Sequence, residues 1–185
     1  MEQHVAHFKT DITDPSSVAD VFNHPWSPEN AKLPLTVFHT AAYIHPGHRK
    51  AEFLSKYMEV NVEGTRNVLE TAKLAGCDVF IATSSASVAL RPQKFFFPPW
   101  QRYPKTFIHF SDNAEPEDLN GPLEQFAGCY AYSKARAEKL VRDWDDKAAG
   151  FRTGTIRPGH AIYGHGDENP NSVVYDYLRR GGMKR

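Results

Sequence analysis

An α/β fold built on a parallel sheet covered by helices on both faces is predicted by three observations. Short apolar runs alternate along the chain with longer segments of helical period. Each run is apolar at consecutive positions, the pattern of a strand with both faces buried. Polar clusters follow the ends of those runs, where open parallel sheets bind ligands.

The elements follow in chain order. Asp14-Pro15 reads as a helix start, with Asp as N-cap and Pro at the first helical position, ahead of Val18, Val21 and Phe22 on one face. Leu35 to His39 is a short β-rich run and predicts a buried strand. From about Ala51 to Leu74 the period is helical, and Gly76 stands where such a helix would end. Asp78 to Thr83 predicts a second strand, which leads into Thr83-Ser84-Ser85. Leu90 to about Pro122 is rich in Pro and aromatics, follows neither period, and reads as loop. Leu123, Phe126, Ala127, Tyr130, Lys134, Ala137 and Val141 share one face of a helix expected to run to about Lys147. Thr153 to Arg157 is a third strand, stopped by Pro158-Gly159, and a last amphipathic helix begins near Ser172.

Composition removes several classes of function. The 185 residues carry 22 Lys and Arg against 22 Asp and Glu, so the net charge is zero and no basic stripe awaits nucleic acid. No run is long and apolar enough to span a bilayer, and the N-terminus does not resemble a secretory signal. Cys77 and Cys129 cannot form a disulfide framework, which fits a reducing, cytoplasmic setting. His45, His48, His160 and His165 lack the cysteine or carboxylate that would complete a metal site, so no metal is expected.

Tyr130-Ala-Tyr-Ser-Lys134 is the first chemical constellation. Residues four apart share a helix face, and a cation beside a tyrosine stabilises its phenolate, making Tyr130 a candidate general acid/base. With eight Tyr and 11 Lys, about 0.5 such pairs arise by chance, so spacing alone also allows an exposed lysine beside a packed tyrosine. Ser84 and Ser85 follow the second strand and either bind a substrate oxygen or cap a turn. Asn61 interrupts an apolar helical stretch as a ligand-binding amide or as a helix irregularity satisfied by backbone.

Five segments then occur in a telling order: His39-Thr-Ala-Ala42, Asn61 to Asn67, Thr83 to Val88, Tyr130-x-x-x-Lys134 and Ile156 to Gly164. Across about Asp11 to Asp167 this resembles the extended short-chain dehydrogenase/reductases, most closely the 3β-hydroxysteroid dehydrogenase/isomerase family. The resemblance implies a partial Rossmann-like doubly wound parallel sheet, with residues 1–170 forming part of an NAD(P)-binding domain and 171–185 starting a substrate-binding region. It implies Tyr130 as the acid/base, Lys134 on the nicotinamide ribose and lowering the tyrosine's pKa, and Ser85 polarising the substrate oxygen. Ser84 is the alternative, because the register rests on one residue. Asn61 matches an asparagine near the nicotinamide. Cofactor contacts are implied for Asp11, Ile12, His39, Ala41, Ala42 and Lys134, and for the Arg157-Pro158-Gly159 turn. NAD or NADP is the expected cofactor and a bulky apolar, steroid-like alcohol or ketone the expected substrate. A homodimer through the helices carrying Asn61 and Tyr130 is also implied.

The sequence departs from that family in three ways. The first glycine is Gly47 and no Gly-x-x-Gly-x-x-Gly occurs, so the first βαβ unit and its pyrophosphate cradle are expected to be missing. The chain also stops soon after Tyr163-Gly-His-Gly-Asp167, before most of the C-terminal substrate domain. The aromatics of 91–110 offer an apolar lid or a membrane-contacting patch, although local core beneath a long loop, or non-homologous sequence, is the favoured reading. Three functions follow: a sterol-type oxidoreductase as the leading expectation, a nucleotide-sugar epimerase or dehydratase, and a non-catalytic remnant, much weakened in nucleotide affinity, that binds a partner or has no independent function.

Overall fold

Asp14 starts the first helix as the sequence predicts, because its carboxylate accepts the Ser16 amide at 2.9 Å and Pro15 needs no amide partner there. This computed structural model describes residues 5–45, 48, 50–90, 92, 100 and 119–159. Helix α1 spans Pro15–Phe22 and strand β1 Thr36–His39. A long helical segment follows, made of α2 (Leu54–Met58), one π-helical stretch (Glu59–Glu63) and α3 (Gly64–Leu74). Gly76, at φ 77°, ends it in the left-handed region, where glycine alone is unstrained. Strand β2 is Val79–Thr83, helix α4 Cys129–Asp143 and strand β3 Arg152–Ile156.

The three strands are parallel in the order β1-β2-β3, with His39 opposite Ala82 and Thr83 opposite Ile156. Among the described residues the helices form one layer: α1 packs on α3, and α3 on α4. Period-two alternation sends Val37, Phe80 and Ala82 toward that layer, into a core with Val18, Leu69, Ala72, Val141 and Phe151. Phe38 and Ile156 belong to the opposite face, where they are 69% and 57% exposed. Covering of both faces was the expectation, and the described helices cover one. An apolar cleft of about 560 Å³ opens beside β1, between residues 5–8 and α1.

Helix α4 is shorter than the apolar period predicts. Leu123–Gln125 forms a separate 3-10 turn, and Gly128, at φ 141°, breaks the chain before the helix begins at Cys129. The periodicity continued because Phe126 packs with Leu119, Val88, Ala131 and Ala135 in a second small core. The helix expected near Ser172 and most of the 91–118 segment lie outside the described residues. No described helix is long and apolar enough to cross a membrane.

Candidate functional site

One face of α4 carries Tyr130, Lys134 and Glu138 at intervals of four, one above the next. All three look toward the carboxyl ends of β2 and β3. The Lys134 ammonium donates to the Thr83 carbonyl at 2.5 Å. Glu138, 2% exposed, accepts from the Ser84 hydroxyl at 2.6 Å and from Arg157 at 2.9 Å (Nε) and 2.7 Å (Nη2). Arg142 approaches the same carboxylate at 2.9 Å, which balances its charge from the helix side. Tyr130, half-buried at the start of the helix, is hydrogen-bonded to Ser85.

The two adjacent serines therefore take different tasks. Successive residues of an extended chain point to opposite sides, so Ser84 enters the interior toward Glu138 while Ser85 does not. Ser85 has extended backbone and begins the 3-10 turn Ala86–Ala89, accepting the Ser87 amide at 3.2 Å and the Ser87 hydroxyl at 2.9 Å. Backbone bonds from Ser84 N to Ile156 O and from Ala86 N to Pro158 O continue the β2–β3 ladder past both strands.

Asn61 lies in the π-helical stretch and is buried. Its Oδ1 accepts the Tyr43 amide at 2.6 Å, and its Nδ2 donates to the Tyr43 carbonyl at 3.0 Å and to Ser133 Oγ at 2.9 Å. Ser133 in turn donates to the Tyr130 carbonyl. The amide thus brackets the segment after β1, the irregular helix and the first turn of α4. π-Helical insertions are common at functional sites because they re-aim one side chain without breaking the helix. Asn61 is both a residue expected at the site and the helix irregularity that its sequence neighbours suggested.

Burial sets the electrostatics. Lys134 falls from 10.5 to about 8, because desolvation penalises its charge and Glu138 restores only part of the loss. His39 falls to about 4, through burial first and the Lys134 charge second. Its Nε2 meets Thr65 Oγ1 at 2.9 Å, and that hydroxyl donates to Asn61 O, so His39 is assigned the tautomer with the proton on Nε2. The Tyr130 phenol is raised above its ordinary range by burial, with the Ser85 hydrogen bond pulling the other way, so the lowering expected from Lys134 is not found: the ammonium is turned to the Thr83 carbonyl. Glu138 is held low by Arg157 and Ser84 against the burial that would raise it.

The remaining expected cofactor residues are spread more widely. Asp11 is tied up locally, accepting the amide and hydroxyl of Thr13. Ile12 packs against Gly64, and its carbonyl accepts from Asn67. Ala41 and Ala42 are exposed just beyond β1. Arg157 is bound to Glu138, Pro158 offers its carbonyl to Ala86, and Gly159 is exposed with open space around its Cα. No group of three or more side chains suited to a metal ion occurs among the described residues.

A family model described as the 3-beta hydroxysteroid dehydrogenase/isomerase family matches residues 3–185. The chain belongs to that family. It is 32% identical over 149 residues to a mouse (Mus musculus) sterol-4-alpha-carboxylate 3-dehydrogenase, decarboxylating, a match covering 80% of this chain and 35% of the relative. It is 28% identical over 181 residues to the Escherichia coli O157:H7 N-acetyl-alpha-D-glucosaminyl-diphospho-ditrans,octacis-undecaprenol 4-epimerase, covering 97% of this chain and 45% of that protein. The chain thus spans under half the length of either relative. Among solved structures, RMD from Pseudomonas aeruginosa, complexed with NADPH, superposes with a TM-score of 0.57 at 20% identity. That match covers 97% of this chain and 55% of the other, and identifies the fold as part of a Rossmann-type sheet.

In this member of the 3-beta hydroxysteroid dehydrogenase/isomerase family, sequence reasoning missed Glu138, Ser133 and Thr65. Glu138 had a signal: a carboxylate four residues beyond Lys134 falls on the buried face of α4, where it needs a cation such as the Arg157 that follows β3. Ser133 and Thr65 had none, since their partners are Asn61 and His39, far away in sequence.

Proposed function

We propose that the chain forms the catalytic part of an NAD(P)-dependent oxidoreductase that interconverts a secondary alcohol and a ketone on a bulky, apolar, steroid-like skeleton. The observation that carries this reading is the convergence of Ser85, Tyr130 and Lys134 at the carboxyl ends of β2 and β3. Family membership and the mouse sterol dehydrogenase relative support the substrate class. The NADPH complex of the structural neighbour supports the cofactor.

The residues present fit one end of such a cofactor. His39 ends β1, Ala41 and Ala42 follow it, the 157–159 turn follows β3, and Lys134 holds its ammonium at the Thr83 carbonyl, charged at neutral pH. The chain carries no Gly-x-x-Gly-x-x-Gly turn for the pyrophosphate. A bound nicotinamide would supply the hydride chemistry.

Tyr130 holds its proton at neutral pH, because its pKa is raised, and so is set to donate it to a ketone oxygen. To take a proton from an alcohol, the phenol needs a cation nearby, and in this reading Lys134, one helical turn on along the same face, supplies it. Ser85 orients the same oxygen, while Ser84 is committed to Glu138. Asn61 keeps the first turn of α4 in place through Ser133. The test is turnover of a 3β-hydroxysterol with NAD or NADP, followed by nicotinamide absorbance. Tyr130→Phe and Ser85→Ala should each abolish it, whereas Ser84→Ala should leave part of it. Normal turnover in Tyr130→Phe would refute the assignment.

The match to the 4-epimerase over 181 residues favours one second reading, epimerisation of a nucleotide-linked sugar through a transient ketone at the same three residues. Substrate profiling separates the two: conversion of the sugar with no sterol oxidation selects the second.

A further inference from the structure

We propose that Glu138 is a positioning residue, whose carboxylate clamps the carboxyl ends of β2 and β3 to α4 so that Ser85 and Lys134 stand at Tyr130. The inference rests on the oxidoreductase reading for its purpose, and on geometry alone for its mechanism. Three observations carry it. Glu138 bonds a residue just past each strand, Ser84 after β2 and Arg157 after β3, and no other described side chain is recorded bonding to both. It lies in the same helical stripe as Tyr130 and Lys134, so movement of α4 along its axis would displace all three together. Buried at this end of the layer, His39, Thr65, Ser84, Lys134 and Glu138 meet around a cavity of about 10 Å³, so polar groups hold this part of the layer.

That last point explains why a clamp is needed. Apolar packing fixes the other end of the same strands, where Phe80 and Phe151 are buried with Val141. At the ligand end, side-chain contacts give way to hydrogen bonds, and directionality must come from a charged group with several partners. Ser84 uses its hydroxyl on Glu138, which orients the following residue to the opposite side of the chain. Arg157 meets the carboxylate with two nitrogens, a fork that fixes the backbone entering Pro158. The Pro158 carbonyl then takes the Ala86 amide, closing a ring around Ser85.

The test is amide hydrogen exchange on the 185-residue chain, comparing wild type with Glu138→Gln. The Ser84 and Ala86 amides, bonded to Ile156 and Pro158, should exchange about tenfold faster in the variant. The Arg152 amide, bonded to Asp78 at the far end of the same strands, should be unchanged. Equal acceleration at all three sites would mean that Glu138 acts only on global stability, and no acceleration would mean that it holds nothing; either result overturns the proposal. Should Glu138→Gln fail to fold, Ser84→Ala removes one arm of the clamp without stranding a charge. It should speed the Ala86 amide by a smaller factor, and unchanged exchange there overturns the proposal equally. None of these readouts needs turnover, so a failed clamp leaves the oxidoreductase reading intact, and an inactive chain leaves the clamp intact.

Discussion

Replacing Lys134 by Met should change how stability responds to alkaline pH, and the structure fixes both sign and size. The folded state holds this ammonium at about 8 against 10.5 when free, a gap worth about 3 kcal/mol. Below about pH 8 the lysine is charged in both states, so the folded protein bears the whole penalty of burying the charge. Between about 8 and 10.5 the unfolded chain binds the extra proton, so stability rises with pH through that window. The hydrogen bond to Thr83 offsets part of the penalty, and Met would leave that carbonyl unpaired at a cost of about 1–3 kcal/mol. The variant should therefore equal or exceed wild type near neutrality and lose ground as pH rises. Urea unfolding from about pH 6.5 to about pH 9.5 should move the difference by about 2 kcal/mol in favour of wild type. Tyr57, Tyr130, Cys77 and Cys129, all raised by burial, lower stability over the same range, but both chains contain them. A difference that stays flat with pH, or moves toward the variant, would refute a buried and strained Lys134.

Gly64→Ala should destabilise the chain by about 1 kcal/mol, because an added Cβ would lie 2.8 Å from Ile12 Cγ1 and Cδ1, and overpacking outweighs the gain in helix propensity. With Ile12→Ala the clash disappears and the same substitution should become stabilising by about 1 kcal/mol; thermal unfolding that gives one sign in both backgrounds would contradict the contact. His39 stays neutral down to about 4 in the folded state while an unfolded histidine takes up its proton near 6.5, so stability should fall with acidification through that window. His39→Gln should lose less over the same range in urea titrations, and an identical loss would count against the buried imidazole. Asn61→Ala should cost about 3 kcal/mol, since it strands the Tyr43 amide and carbonyl and takes a donor from Ser133 Oγ. A loss below about 1 kcal/mol in urea unfolding would show the bracket to be dispensable.

The sequence made the site legible wherever its chemistry depends on neighbours along the chain. Tyr130 and Lys134 declare a shared helix face by their spacing, Asp14-Pro15 declares a cap, and the apolar runs declare strands within one residue of their observed ends. The choice between Ser84 and Ser85 was not legible. It depends on which side of β2 the α4 helix covers, and only the partner, Glu138, reveals that. Asn61 read equally well as a ligand contact and as a helix defect, because the deciding atoms belong to Tyr43 and Ser133. The boundary of α4 was misread because Phe126 continues the apolar period while belonging to a different cluster, and Gly128 breaks the helix without breaking the pattern.

The arrangement also explains why charge is buried at this end of the sheet when apolar packing suffices at the other. Apolar contacts alone specify a helix's register less sharply than directional hydrogen bonds do, because hydrophobic cores lose uniqueness before they lose stability. Tyr130 can serve one substrate oxygen together with Ser85 only if α4 keeps a fixed register against β2. Lys134 reads that register at the Thr83 carbonyl, in a residue with no pairing partner in β1, because β1 stops at His39 opposite Ala82. Glu138 reads it one turn further on, at Ser84 and Arg157. The two ions are of opposite sign and one turn apart, and Glu138 lowers the cost of burying Lys134, as the partial restoration of the Lys134 pKa indicates. Removing Glu138 while Lys134 stays should therefore cost more than the bonds Glu138 makes, and substituting both by Met and Leu should cost less stability than Lys134 intact with Glu138→Leu. Urea unfolding of the two variants measures this directly, and a double variant weaker than the single one would refute the coupling.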